Sequence, residues 1–253
     1  MIQAHDVEEW HNKYFHRAFL ITIVFILINL QQNTACAEQI VIVGDSHSCG
    51  DFGRQLVRNL SAKGQNNVVM YCAGGLSTQH WVNGFSPKKS DNKCRTYSSK
   101  NLQLQDCLGT GDLPSIEKIL QFEPRPSRVV VALGTNNLAM NALSSFDTFS
   151  QKIKNAGIAC HWVGPPTLGQ NGRICREHGH NLDSLVKTLR SATKNTCEYV
   201  DSRPVTRADN TPDCIHRYGI PAHEWADAVA RLLNPSALPS THPPNSPGSR
   251  TTK

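Results

Sequence analysis

Apolar positions along the chain alternate between short β-branched runs and longer stretches of helical spacing. Residues 39–43 (QIVIV) form a first strand, broken by Gly44, and residues 48–60 then carry Phe52, Leu56, Val57 and Leu60 on one helical face. Residues 68–71 read as a second strand closed by Ala73-Gly74-Gly75. Residues 113–122 read as a helix stopped by Pro124 and Pro126, because the residue before a proline is pushed out of the helical region. Residues 128–133 (RVVVAL) are a third strand ended by Gly134. A helix over 146–156 and a fourth strand over 158–163 follow, then Pro165 and Pro166. A helix over 182–193, a brief fifth strand over 198–201 and a last amphipathic helix over 221–233 complete the pattern, with Trp225, Val229 and Leu232 on its apolar face.

Strands that alternate with helices and read as continuous apolar runs belong to a parallel sheet covered on both faces. The pattern predicts one three-layer α/β domain over residues 38–233. Residues 79–112 break the rhythm, being polar, cysteine-bearing and longer than an ordinary connection. They form either part of a substrate wall at the carboxyl edge of the sheet or a disulfide-stapled surface decoration.

Both ends of the 253-residue chain fall outside this pattern. Lys13 and Arg17 precede an apolar run of 13 residues (AFLITIVFILINL), and Ala35-Cys36-Ala37 follows, the arrangement of a secretory signal peptide cleaved after Ala37. An uncleaved anchor is the weaker reading, since 13 helical residues reach about 20 Å, short of a bilayer core of about 30 Å. Residues 234–253 are rich in Pro and Ser, bury almost nothing and are expected to be disordered. Cleavage leaves eight of the nine cysteines, none spaced C-x-x-C, which in an exported domain points to disulfides rather than zinc. It also leaves 24 basic against 17 acidic residues, a net charge of +7. With no basic run, that charge suits an anionic wall polymer or membrane surface better than nucleic acid.

The chemistry gathers at the strand ends. The first strand runs into Gly44-Asp45-Ser46-His47-Ser48, the second into Ala73-Gly74-Gly75 and the third into Gly134-Thr135-Asn136-Asn137. Asp213-Cys214-Ile215-His216 precedes the last helix. A serine hydroxyl needs a base to take its proton and a third group to orient that base, roles open to His216 and Asp213. A tetrahedral intermediate needs fixed donors, which the backbone N–H groups of Ser46 and Gly75 and the amide of Asn136 can supply. Other polar groups are weaker candidates. His178-Gly179-His180 lacks a third metal ligand and reads as a solvated loop, and neither a metal nor a cofactor is expected. His161 and Trp162 lie in a strand and read as core, whereas His47 reads as an exposed turn residue rather than a pocket lining.

These four blocks, in this order over residues 39–233, resemble those of the SGNH/GDSL hydrolase superfamily. The resemblance implies a flavodoxin-like α/β/α sandwich on a five-stranded parallel sheet. It also implies Ser46 as nucleophile, Asp213 and His216 as its partners, and Ser46, Gly75 and Asn136 around the oxyanion. Met70-Tyr71-Cys72 departs from the family's second block, and the choice of Gly75 over Gly74 rests on the alignment of VVMYCAGGLST. Asn137 stands where an aspartate is usual.

The strand map pairs the cysteines. Cys94 and Cys107 share the insertion, and Cys160 and Cys197 sit at matching starts of neighbouring strands. Cys49 lies near Cys72 at the next strand's end, leaving Cys175 with Cys214 in the triad loop. Three functions fit the residues: a secreted or periplasmic esterase removing O-acyl groups, acetyl above all, from an envelope or extracellular glycan; a lipase or thioesterase on fatty acyl esters; and a non-catalytic carbohydrate-binding module. Transfer of the acyl group to another hydroxyl would use the same acyl-enzyme.

Overall fold

Strand β1 (Glu38–Gly44) occupies the centre of the sheet, and its Ile40, Ile42 and Val43 are wholly inaccessible to solvent. In the computed structural model, which describes residues 37–61, 66–87, 92–138, 144–169, 172–208 and 213–234, it pairs in parallel with β2 (Asn66–Ala73) on one side. On the other side its parallel partner is β5 (Arg128–Ala132). The expected leader and the expected disordered tail fall outside the described residues, apart from Ala37 and Asn234.

Successive side chains of β1 point to opposite faces, and each face has its own core. Ile40 and Ile42 join Phe52, Leu56, Trp225 and Val229, which belong to helices α2 (Asp51–Leu60) and α8 (Ile220–Leu233). Val41 and Val43 join residues of α3 (Thr78–Asn83), α4 (Ile116–Leu120), α5 (Ser145–Asn155) and α7 (Leu182–Thr193). The layers are helix, sheet and helix. A β-branched run buried on both sides fits only such a sandwich.

Beyond β5 lie β6 (Ala159–Val163) and β7 (Glu198–Val200), both parallel. The five parallel strands run in the order β2-β1-β5-β6-β7, the flavodoxin-like winding. The complete sheet has seven strands, not five. The insertion supplies the other two, β3 (Cys94–Ser98) and β4 (Asn101–Asp106), as an antiparallel hairpin added beside β2. Their polarity hid them, because an edge strand exposed on both faces carries no apolar run to read. Of β3 only Cys94 and Tyr97 are buried, and Cys94 is bonded to Cys107.

The other expected elements lie within a few residues of those observed, with one informative difference. The helix expected over 48–60 begins at Ser46 and breaks at Gly50, giving α1 (Ser46–Cys49) and then α2. A short helix α6 (Arg173–His178), with no buried residue, has no apolar face to betray it.

Candidate active site

Three strand ends and one late loop meet at the carboxyl edge of the sheet. Gly44 is level with Cys72 of β2 and Ala132 of β5, so the turns after these strands emerge side by side. Ligands of doubly wound sheets bind here, where the winding reverses on either side of β1.

Ser46 opens α1, and Asp45 caps it, its carboxylate accepting the His47 N–H at 3.0 Å. The turn is locked from several directions. A Cβ on Gly44 would lie 1.8 Å from the Ser48 hydroxyl, so only glycine admits this packing. Tyr97 of the inserted hairpin donates its hydroxyl to the Ser48 carbonyl at 2.5 Å. A disulfide joins Cys49 to Cys72 of β2. Tyr97 is a supporting residue that pattern reading missed; its only signal was a lone aromatic in a polar strand.

The late loop places His216 against Ser46. His216 Nε2 lies 2.6 Å from Ser46 Oγ, positioned to accept the hydroxyl proton. His216 Nδ1 donates to Asp213 Oδ2, and Asp213 Oδ1 accepts the main-chain N–H groups of Ile215 at 3.1 Å and His216 at 2.9 Å. Burial acts to raise the Asp213 pKa, but the His216 ring and these N–H groups hold the carboxyl below the usual carboxylate range. The loop itself is tied down. Cys214, buried and in the left-handed region with φ 61°, is bonded to Cys175. Arg217 donates to the carbonyls of Thr167 and Arg207, and the Gly219 N–H donates to Asp51 at 2.8 Å.

Asn136 stands in the turn after β5, and its side-chain amide donates to the Leu76 carbonyl at 3.0 Å. One N–H is spent on that anchor and the amide has a second. The same bond ties the β5 turn to the β2 turn, where Gly75 adopts φ 69°, a conformation that glycine enters without penalty. Asn137 is buried, and its side-chain oxygen accepts the Thr78 hydroxyl at 3.3 Å, a structural contact between the two turns.

His47 departs from expectation. It is only 4% exposed, its ring centroid 5.1 Å from that of His216 and edge-on to Trp225 at 5.2 Å. His47 and Ser48 are the buried residues of α1, so the residue after Ser46 points into the core rather than to solvent. Neither ring nitrogen has a hydrogen-bond partner among the described residues. Burial, aided by the charges of His216 and Arg217, pushes its pKa down to about 3. Asp45 shifts the other way, to about 6, chiefly through burial.

The remaining candidates stand apart from Ser46. His161 faces Glu198 of the neighbouring strand at 3.3 Å, and Trp162 is core. His178 ends α6 and His180 lies in the following 3-10 turn, and among the described residues no group of three potential ligands is placed to hold a metal. The disulfide Cys160–Cys197 joins the starts of β6 and β7, and Cys94–Cys107 closes the hairpin, with Cys94 level with Ala73 at the end of β2.

No protein-family model matches the chain, and no curated protein matches it in sequence. Its structure is similar to several solved ones. A protein from Slackia heliotrinireducens assigned to the SGNH hydrolases superposes with a TM-score of 0.55 at 14% identity, over 78% of this chain and 99% of its own. An aryl esterase from M. smegmatis in an inhibitor-bound form gives 0.56 at 14% identity, over 79% and 99%. A carbohydrate acetylesterase family member from Sinorhizobium meliloti gives 0.52 at 14% identity, over 78% and 98%. Winding order, strand-end turns and these likenesses agree: the chain has the fold of the SGNH/GDSL hydrolases.

Proposed function

We propose that this chain is an exported serine esterase that removes small O-acyl groups, acetyl above all, from a glycan. The observation that carries this reading is the line from Ser46 Oγ through His216 to Asp213, with 2.6 Å between hydroxyl and imidazole. In this reading His216 takes the Ser46 proton as Oγ attacks the ester carbonyl. Asp213 holds the imidazole with its proton on Nδ1 and stabilises the imidazolium that forms. The oxyanion is met by the N–H groups of Ser46 and Gly75 and by the second amide N–H of Asn136. His216 then returns the proton to the leaving sugar hydroxyl, and water releases the acyl group by the same steps.

The glycan preference is supported by the resemblance to a carbohydrate acetylesterase and by the basic charge of the chain. Export is supported by the leader pattern and by four disulfides, which persist in oxidising compartments.

The test is acetate release from O-acetylated polysaccharides, beside a p-nitrophenyl ester series of rising chain length. Ser46→Ala is expected to abolish both activities. Activity peaking at acetate fits the reading; a peak at eight carbons or more would point to a fatty acyl substrate instead. Ester hydrolysis unchanged in Ser46→Ala would remove the enzyme reading altogether.

A further inference from the structure

Helix α8 begins four residues after His216, and one of its faces looks away from the core. Pro221, Glu224, Ala228 and Arg231 follow one another along that face at helical spacing. Opposite them runs the segment after β7, with Thr206 fixed by hydrogen bonds to the Ser202 carbonyl and the Thr167 N–H. Between the two lies a groove of about 710 Å³, within the range of sites that hold small organic ligands.

The groove is cationic. Arg207 and Arg231 stand on its two walls, and neither forms an ion pair among the described residues. Arg217 also lines it, 4% exposed and fixed by the Thr167 and Arg207 carbonyls. Among the described residues Glu224 is the one acidic side chain in the lining. The Arg217 charge also helps to lower the pKa of His47, the residue after Ser46. Arg217, which lines the groove, directly follows His216 in the chain, so the groove adjoins the loop that carries His216.

Guanidinium groups match carboxylate and phosphate oxygens with paired hydrogen bonds. We infer that this groove is a subsite for an acidic glycan, binding the carboxylate or phosphate groups of sugar residues that flank the acylated one. The inference rests on the esterase reading for its biological setting, but the groove can be tested without any turnover.

The Ser46→Ala protein is titrated calorimetrically with tetragalacturonate, with a poly(ribitol phosphate) and with neutral xylotetraose. One or both acidic ligands should bind at least about ten-fold more tightly than xylotetraose, and which one binds identifies the anionic group. Arg207→Gln with Arg231→Gln should weaken that binding about ten-fold or more, the scale of losing charge-assisted hydrogen bonds. Glu224→Gln should strengthen it, whereas Lys100→Gln, which removes a charge in the turn between β3 and β4, should leave it unchanged. Equal binding of acidic and neutral ligands would overturn the inference. So would equal losses in the Lys100 and arginine variants, or tighter arginine-dependent binding to phosphatidylglycerol vesicles than to either glycan. Failure of the esterase reading would show instead as ester hydrolysis surviving Ser46→Ala.

Discussion

Asp213 illustrates how much one side chain does in this site. Its Oδ1 holds the loop through two main-chain N–H groups, and its Oδ2 holds the imidazole. Asp213→Asn can keep the first role but presents an amide to Nδ1 and favours the wrong tautomer. We expect kcat on p-nitrophenyl acetate to fall by about 10³ to 10⁴ with little loss of stability; a loss under ten-fold would deny Asp213 the orienting role. Asp45 and His47 make a second, opposed pair around Ser46. The Asp45 pKa is raised in the folded state from 3.8 to about 6, so its contribution to stability is present below pH 4 and lost as pH rises through 6. The His47 pKa is lowered from 6.5 to about 3, so its contribution is present above pH 6.5 and lost as pH falls towards 3. Asp45→Asn keeps a good helix cap and removes only the first effect. The stability of the variant relative to wild type should therefore rise from pH 4 to pH 7, by up to about 3 kcal/mol. Urea unfolding at both pH values measures it, and a flat difference would mean that the Asp45 carboxyl is not shifted.

At the scale of elements, the site is held by covalent ties between segments that packing alone would leave loose. Helix α6 buries no side chain, yet its Cys175 is bonded to Cys214 between Asp213 and His216. The hairpin disulfide Cys94–Cys107 is comparable in kind but belongs to the sheet edge. Each bond should contribute about 2–4 kcal/mol to stability. Their effects on catalysis should differ. Replacing Cys175 and Cys214 with alanine should lower both melting temperature and kcat, whereas the same change at Cys94 and Cys107 should lower melting temperature with kcat largely kept. Equal kcat in the two double variants would remove the triad loop's dependence on its tie. The hairpin bears on the site by another route, through Tyr97 and the Ser48 carbonyl. Gly53 allows that contact, since a Cβ there would lie 1.9 Å from the Ser48 carbonyl oxygen and 2.3 Å from the Tyr97 hydroxyl.

For the whole molecule, four disulfides in one domain are consistent with folding in an oxidising compartment. Expressed with its leader and allowed to export, the protein should begin at Glu38 and contain no free thiol. N-terminal sequencing and mass spectrometry after thiol alkylation test both points. A retained leader would favour the anchor reading, and alkylated cysteines in active protein would weaken the oxidative one.

The chain order of apolar runs was enough to specify the alternating α/β layers, because strands buried on both faces and helices buried on one leave different periodicities. It was also enough to propose Ser46, Asp213, His216, Gly75 and Asn136, since each falls at a break that the pattern makes visible. Three things needed the tertiary structure. The hairpin that widens the sheet was illegible because its strands are stabilised by pairing with β2 and a disulfide, not by an apolar face. The burial of His47 depends on Trp225 and His216, which lie about 170 residues away in the chain. The arginine groove is of the same kind: Arg207, Arg217 and Arg231 fall in one stretch of the chain, but only the packing of α8 against the segment after β7 brings them to a common groove. Local periodicity reports what a segment buries; which distant groups share a site is decided when the layers close.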